Sequence, residues 1–292
     1  MIIISIPAFN EEKTLPLVLE DIKKALQNTK YQYKILVLND GSTDKTVETT
    51  KKHGAIVVSN KRNKGLAETF RREMQEALKL KADIIIHTDA DGQYNPQHIP
   101  ELIEKVKEGY DLVLGSRFLN KKIKHMPFSK RMGNKLFSKV ISSITKVKIT
   151  DSTTGFRAFT AEVAREINYI NTFTYTQEQI IKAAKQGFSI AEVPITSRKT
   201  RESRLFKSPI QYAIKAWINI LRIHRDYGPL KFFGRIGLFF ISVGLAIGCW
   251  LAYRYLTLGF VGKLPSTILA MLLLTIGIQI VLFGFLADMI NK

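Results

Sequence analysis

Short β-branched runs recur through the first 116 residues: IIISI (2–6), KILVL (34–38), AIVVS (55–59), DIIIH (83–87) and DLVLG (111–115). Each has the length of a buried strand, and the stretches between them change period. Residues 12–27 and 65–80 place apolar side chains three and four apart, which predicts amphipathic helices. Continuous apolar strands separated by helices predict an α/β domain whose mostly parallel sheet is covered on both faces. In such sheets ligands bind beyond the carboxyl ends of the strands, so chemistry is expected in the residues that follow each run.

The pattern changes farther along. Positions 236–253 and 264–287 form uncharged runs of 18 and 24 residues, against the roughly 20 that a helix needs to cross a bilayer core. Two buried core helices would show the same pattern. A transmembrane hairpin is the expectation, because two such runs stand together with only residues 254–263 between them. Just before them, SPIQYAIKAWINILRIHR puts Ile210, Ile214, Trp217, Ile218 and Leu221 on one helical stripe, with Lys215, Arg222 and Arg225 outside it. That composition suits a helix lying in the headgroup layer, although a core helix of a soluble domain would carry the same stripe. The predicted organisation is a domain over 1–205 with halves 1–116 and 117–205, a juxtamembrane helix and linker over 206–235, and a hairpin over 236–287.

Charge sharpens this picture once it is divided. Of a net +19, residues 1–116 contribute nothing, with 17 basic and 17 acidic side chains, whereas residues 117–235 carry 24 Lys and Arg against 7 Asp and Glu. Ten basic residues lie from Arg198 to Arg235, but only Arg254 and Lys263 lie in the connecting loop. The positive-inside bias therefore predicts that residues 1–235 and Lys292 are cytoplasmic. MIIISIPAFNEE has no basic leader and two early carboxylates, so a cleaved signal peptide is not expected. The single cysteine, Cys249, excludes an internal disulfide and any zinc site built on two or four cysteines.

The strand ends are polar and acidic in a repeated way. After the first run comes Pro7-Ala8-Phe9-Asn10-Glu11-Glu12, after the second Asn39-Asp40-Gly41-Ser42-Thr43-Asp44, and after the fourth Thr88-Asp89-Ala90-Asp91-Gly92-Gln93. There is no GxxxxGK loop and no GxGxxG turn, so ATP hydrolysis and dinucleotide redox chemistry lack their usual phosphate cradles. Asp89 and Asp91, two apart where a strand opens into a loop, can both turn toward one hard cation, with Gln93 as a third oxygen donor. Mg²⁺ or Mn²⁺ prefers such ligands and commonly completes its shell with substrate phosphates. Carboxylates at three strand ends thus suggest a nucleotide held at its base and ribose, with a metal neutralising its phosphates.

In order and spacing, PAFNEE, NDGSTDKT, NKGLAET, DADGQ, GSRF and DSTTGFRAF resemble the family 2 glycosyltransferases with a GT-A fold, and among them the polyprenyl-phosphate sugar synthases. The resemblance covers about residues 3–205. It implies inverting transfer of a sugar from a nucleotide diphosphate sugar, GDP-mannose by preference, to dolichyl or another polyprenyl phosphate. Carried over by position, Pro7, Phe9 (usually Tyr), Glu11, Asp40 and Ala90 would contact the nucleotide sugar; Asp89, Asp91 and Gln93 would hold metal and diphosphate; and Arg117 and Arg131 would face phosphate. The loop Arg198-Lys199-Thr200-Arg201-Glu202-Ser203-Arg204 resembles the family's RxxGxSK segment, which closes over phosphates, with Arg201 in place of Gly and Arg204 in place of Lys. Glu178 matches a recurrent family Glu. Asp151, in the segment resembling DxxSGFR, could orient an arginine or the acceptor, or serve only a turn.

From Arg117 to Thr150 there are ten basic residues and no carboxylate. Nucleic acid would fit such a run, but beside a membrane hairpin anionic lipid headgroups are the expected partner, and no nucleic acid is expected. A lipid phosphate monoester is largely anionic at neutral pH and can attack an anomeric carbon without a strong general base. No nucleophilic triad is therefore expected, and none of the five histidines receives a catalytic role; His87 reads as structural. A processive polysaccharide synthase would carry QxxRW, which the string from Gln211 to Trp217 does not match. A membrane scaffold without catalysis would have no use for three carboxylate clusters around one cleft.

Overall fold

A computed structural model describes residues 1–119, 126, 128–169, 175–198, 218, 221, 222, 225, 227–260 and 264–290. The five apolar runs form β1 (Ile2–Ala8), β2 (Tyr33–Asn39), β3 (Ile56–Ser59), β4 (Ile84–His87) and β5 (Leu112–Ser116). The expected helices are α1 (Leu15–Leu26) and α3 (Leu66–Lys79); α2 (Thr46–Lys52) and α4 (Ile99–Lys107) complete the first half. The second half adds α5 (Phe128–Thr145), β6 (Arg157–Thr160), α6 (Ala161–Glu166), α7 (Thr176–Lys185) and β7 (Ile190–Pro194).

One seven-stranded sheet results, in the order β3-β2-β1-β4-β6-β5-β7. β1 lies between β2 and β4 and is covered on both faces, which is why it reads as an unbroken apolar run: Ile3, Ile4 and Ile6 have no exposed surface. Each such side chain contributes about 1.5–3 kcal/mol by leaving water. β6 pairs antiparallel with both β4 and β5, while the other pairings are parallel. This reversal matters for chemistry. Because β6 runs backwards, its first residue, Arg157, pairs with His87 and Leu114 near the carboxyl ends of β4 and β5. The segment just before it, residues 151–156, is thereby delivered to the crevice where the parallel strands end.

The chain divides into two compact units, Met1–Ala213 and Ile214–Lys292. In the second, α8 (Pro229–Leu258) and α9 (Leu264–Ile290) extend the predicted runs, and each is long and apolar enough to cross a bilayer. Their buried positions recur every seven residues: Gly237, Gly244 and Leu251 on α8, Ala270, Gly277 and Gly284 on α9. That spacing suits a shallow left-handed crossing with small residues at the contact. The backbones meet closely, since a Cβ on Gly237 would stand 2.6 Å from the Gly277 carbonyl oxygen. Most of the remaining apolar surface, including Leu238, Phe239, Leu256, Met271 and Phe283, faces outward. Core helices of a soluble domain would bury these side chains, and their exposure suggests a membrane association. Of the juxtamembrane segment, the stripe residues Ile218 and Leu221 and the off-stripe Arg222 and Arg225 are helical and exposed; Ile210, Ile214, Lys215 and Trp217 lie outside the described residues.

Candidate active site

The loops after β1 and β2 are latched together at one end of the crevice. The Asn10 amide N–H donates to Ser42 Oγ at 2.9 Å, and Asn10 Oδ1 accepts from the Thr43 amide at 2.8 Å. Buried Glu11 accepts from Thr14 Oγ1 at 2.5 Å, and its backbone N–H donates to Thr46 Oγ1. Asp40 is buried too. Its carboxylate accepts from the Lys64 and Gly65 amides, both at 2.9 Å, and from Asn60 Nδ2 at 2.7 Å, so it shapes the loop that leads into α3. Of the other residues expected around the nucleotide, Phe9 is exposed, Pro7 half-buried and Ala90 buried.

Asp89 and Asp91 follow β4 at the point where the strand order turns back, the usual ligand position of an open α/β sheet. Asp91 Oδ1 accepts from the Gln93 amide at 2.9 Å, which closes a tight turn. The Asp89 side chain keeps 32% of its surface exposed. Burial, and then repulsion from Asp91, raise its pKa from 3.8 to about 6, although His87 and Arg117 pull it down. Two mutually repelling carboxylates form an oxygen-only set suited to a hard cation. A cation would have to approach from the side away from Gly155, where an added Cβ would lie 3.1 Å from both Asp89 carboxylate oxygens. Among the described residues no group of three or more His, Cys, Asp or Glu side chains is assembled there. A cation held by this pair would therefore draw further oxygens from a substrate.

The pKa shift has a readable consequence. If this pair holds a cation, protonation of Asp89 would remove one of its oxygens, and Mn²⁺ affinity would then fall about tenfold per unit as pH drops below about 6. Calorimetric titration between pH 5 and 8 reads this directly. In the metal-free protein the sign is opposite, because a raised carboxyl pKa favours folding only in acid, and that contribution is lost as pH rises from 3.8 through about 6.

Opposite Asp89, Arg117 leaves the end of β5 and is clamped by fully buried Asp151. Its Nε donates to Oδ2 at 2.7 Å and its Nη2 to Oδ1 at 2.9 Å, with a third bond from Nη2 to Thr153 Oγ1 at 3.0 Å. Of the roles open to Asp151 in the sequence, orienting an arginine is the one realised. Burial opposes the Arg117 charge, but Tyr94, Asp151 and Asp89 outweigh it and raise the pKa, so the guanidinium stays charged. Glu192 on β7 fixes the same segment, accepting from the Thr150 and Asp151 amides at 2.9 and 3.0 Å. Tyr94 closes it from below: its hydroxyl accepts from the Gly155 amide at 2.8 Å, and its ring stacks on Phe156.

Two features were not read from the sequence. Arg157 is fully buried and, among the described residues, has no carboxylate partner; its donors go to the carbonyls of Thr154 and Thr176 and to Gln179 Oε1, at 2.7–2.9 Å, which ties the 151–157 segment to α7. Behind Asp89, Glu73 Oε2 accepts from Ser5 Oγ and meets His87 Nδ1, both at 2.7 Å, while His87 Nε2 meets the Tyr175 hydroxyl at 2.6 Å. His87 is thus held on both ring nitrogens, in the structural role expected of it. A buried Glu at an apolar helix position, three residues after Phe70, was the available signal. Glu178 is buried and pairs with Lys182 at 2.8 Å.

Two other arginines expected near phosphate are Arg198 and Arg131. Arg198 donates to Asp21 Oδ2 at 2.5 Å and to Asn95 Oδ1 at 3.3 Å, and its amide donates to the Gln93 carbonyl at 2.8 Å. It therefore braces the Asp91–Gln93 turn against α1, because β7 continues past the crevice at that level. Arg131 stands half-buried on α5, and no hydrogen bond among the described residues joins it to the Arg117–Asp151 pair. Ser203 and Arg204 lie outside the described residues.

Comparison with known proteins fits this geometry. The dolichol-phosphate mannosyltransferase of Pyrococcus furiosus is 30% identical over 246 residues, covering 80% of this chain and 67% of that protein. The UDP-N-acetylglucosamine–dolichyl-phosphate N-acetylglucosaminyltransferase of Methanococcus voltae is 28% identical over 245 residues, covering 76% of this chain and 96% of that protein. Among solved structures, glucosyl-3-phosphoglycerate synthase from Mycobacterium tuberculosis, in complex with Mn²⁺, UDP and phosphoglyceric acid, superposes with a TM-score of 0.61 at 20% identity, over 78% of each chain. That likeness establishes the GT-A fold. Residues 3–167 match the model of glycosyl transferase family 2, and the chain belongs to that family.

Proposed function

We propose that this chain transfers one sugar from a nucleoside diphosphate sugar to a polyprenyl phosphate, dolichyl phosphate included, with inversion. The observation that carries the reading is one crevice with an acidic pair, Asp89 and Asp91, on one wall and a clamped arginine, Arg117, on the other, in a chain that also carries two helices of bilayer length. The relatives that act on dolichyl phosphate support the acceptor class.

The nucleotide lies across the β1 and β2 ends, against Pro7, Phe9, Glu11, Asp40 and Ala90. Asp89, Asp91 and Gln93 would hold Mg²⁺ or Mn²⁺, which would supply positive charge to the leaving diphosphate. An oxygen of the lipid phosphate attacks the anomeric carbon from the opposite face. The new C–O bond forms as the bond to the nucleoside diphosphate breaks, and that diphosphate leaves with the electron pair. Arg117, with its planar fork oriented by Asp151, screens the acceptor phosphate from the donor charge, and Arg131 supplies a second positive group near the acceptor. Arg198, which also braces the turn at Asp91–Gln93, is assigned with Ser203 and Arg204 to the loop that covers the phosphates. GDP-mannose is the favoured donor; the relative from Methanococcus voltae supports UDP-N-acetylglucosamine as the alternative.

The test incubates purified protein and polyprenyl phosphate with GDP-mannose, UDP-glucose or UDP-N-acetylglucosamine, with Mg²⁺ or a chelator, and scores sugar-bearing lipid. Product from one donor, abolished by chelation, is expected; binding without transfer from any donor would overturn the acceptor assignment. The catalytic domain and both termini are placed on the cytoplasmic side. Accordingly, a cysteine at Phe260 in a Cys249→Ser background is expected to react only with an impermeant reagent applied from the outer face.

A further inference from the structure

We infer that Glu192 is a positioning residue for Arg117: from β7 it anchors both of the segments that carry the Arg117–Asp151 pair, and so sets which edge of the guanidinium faces the crevice. Its part in sugar transfer rests on the proposed function; the anchoring does not.

Glu192 pairs with Leu114 where β7 runs parallel to β5. Its carboxylate reaches across to the segment that leads into Asp151. Oε1 accepts from the Thr150 and Asp151 amides at 2.9 and 3.0 Å, and Oε2 accepts from Thr150 Oγ1 at 2.7 Å. A second path leads to the other side of the pair. Thr150 Oγ1 lies 2.6 Å from Ser116 Oγ, which accepts from the Phe118 amide at 3.2 Å. A hydroxyl has one proton to give, and that of Thr150 goes to Glu192, so Ser116 must be the donor to Thr150. The bonds therefore run one way, from the Phe118 amide through Ser116 and Thr150 to Glu192, and their first two members flank Arg117 in the chain. Only an acceptor can end such a run, and a carboxylate, with no donor of its own, fits that place.

What is held is the orientation of the guanidinium fork. Nε and Nη2 of Arg117 are taken by Asp151 and Thr153, and the Arg117 amide also donates to Asp151 Oδ2, at 3.2 Å. Among the described residues Nη1 makes no hydrogen bond, so its two donors are the ones left for a phosphate oxygen. Turning Asp151 or shifting the end of β5 would swing that edge away. Glu192 restrains both.

The test is Glu192→Gln in the full chain. The glutamine amide matches the carboxylate in size, but it must turn a donor either to the two backbone N–H groups or to Thr150, which reverses the run and strands the Ser116 proton. Transfer to polyprenyl phosphate is expected to fall about 10²-fold, the cost of a misplacement of about 1 Å, while KM for the nucleotide sugar stays unchanged. In an Arg117→Lys background the same substitution should lower transfer no further. Thr150→Val, which removes one hydroxyl from the run and keeps the side chain's shape, should show the same coupling and serves if Glu192→Gln does not fold. The Arg117 Nε–H resonance, identified by its loss in Arg117→Lys, should exchange with solvent faster in both variants than in the parent. Equal losses of transfer with Arg117 and with Lys at 117 would overturn the inference, as would a KM for the nucleotide sugar that rises with the loss, because general loosening of the fold does both. A parent protein that transfers no sugar to lipid phosphate would overturn the proposed function instead; the exchange rate then decides, and an Arg117 Nε–H unchanged in both variants would overturn the anchoring.

Discussion

Replacing Asp91 with alanine is expected to lower sugar transfer by about 10²–10³-fold, the usual cost of removing one group that stabilises developing charge. The fold should barely notice. Asp91 contributes the turn bond from the Gln93 amide, worth about 1 kcal/mol, and the melting point of a domain this size should move by only about 2–4 °C. A second readout separates a metal role from a general disturbance. Because Asp91 is one of the charges that raise the Asp89 pKa, the variant's remaining Mn²⁺ binding should persist to lower pH than in the parent. Full activity in Asp91→Ala, or an unchanged pH profile for metal binding, would remove the metal assignment.

Asp151→Asn is expected to act through the opposite balance, with a large cost to stability. Asp151 is fully buried and takes two donors from Arg117, so an amide in its place leaves a buried guanidinium without its counter-charge. Breaking such a pair costs about 3–5 kcal/mol, which should lower the melting point by roughly 10 °C or more and weaken lipid-phosphate binding. The informative variant is the double one. Arg117→Met with Asp151→Asn removes both charges, and replacing both members of a buried pair is often close to neutral for stability. Melting should then recover while transfer does not. If transfer returns with the fold, Arg117 does not face a phosphate, and the pair is structural.

Much of this protein was legible because the signals are local. The strand runs were readable since β1 and its neighbours are apolar on both faces; their bounds shifted by only a residue or two. The acidic pair was readable because two carboxylates separated by one residue after a buried strand need no distant partner to form a site. The charge-free stretches of 18 and 24 residues at 236–253 and 264–287 announced the two long helices for the same reason. A helix crossing a bilayer satisfies its own backbone and needs only enough consecutive apolar residues.

The rest depended on strands that meet far from where they lie in the chain. β6 was not predicted, and its antiparallel insertion between β4 and β5 is what brings Asp151 to Arg117, Gly155 to Asp89 and Arg157 to α7. No spacing rule links residues 34 positions apart; the pairing follows from which strand lies beside which. The same holds for Arg198, which the family resemblance assigned to a phosphate loop and whose contact with Asp21 is set by the path of the chain after β7. The sequence by itself determined the fold class, the acidic strand ends and the membrane-length helices, all written in periodicity and in neighbours along the chain. Tertiary structure alone decided which charges face one another, because a buried ion pair is chosen by the register and direction of the strands that carry it.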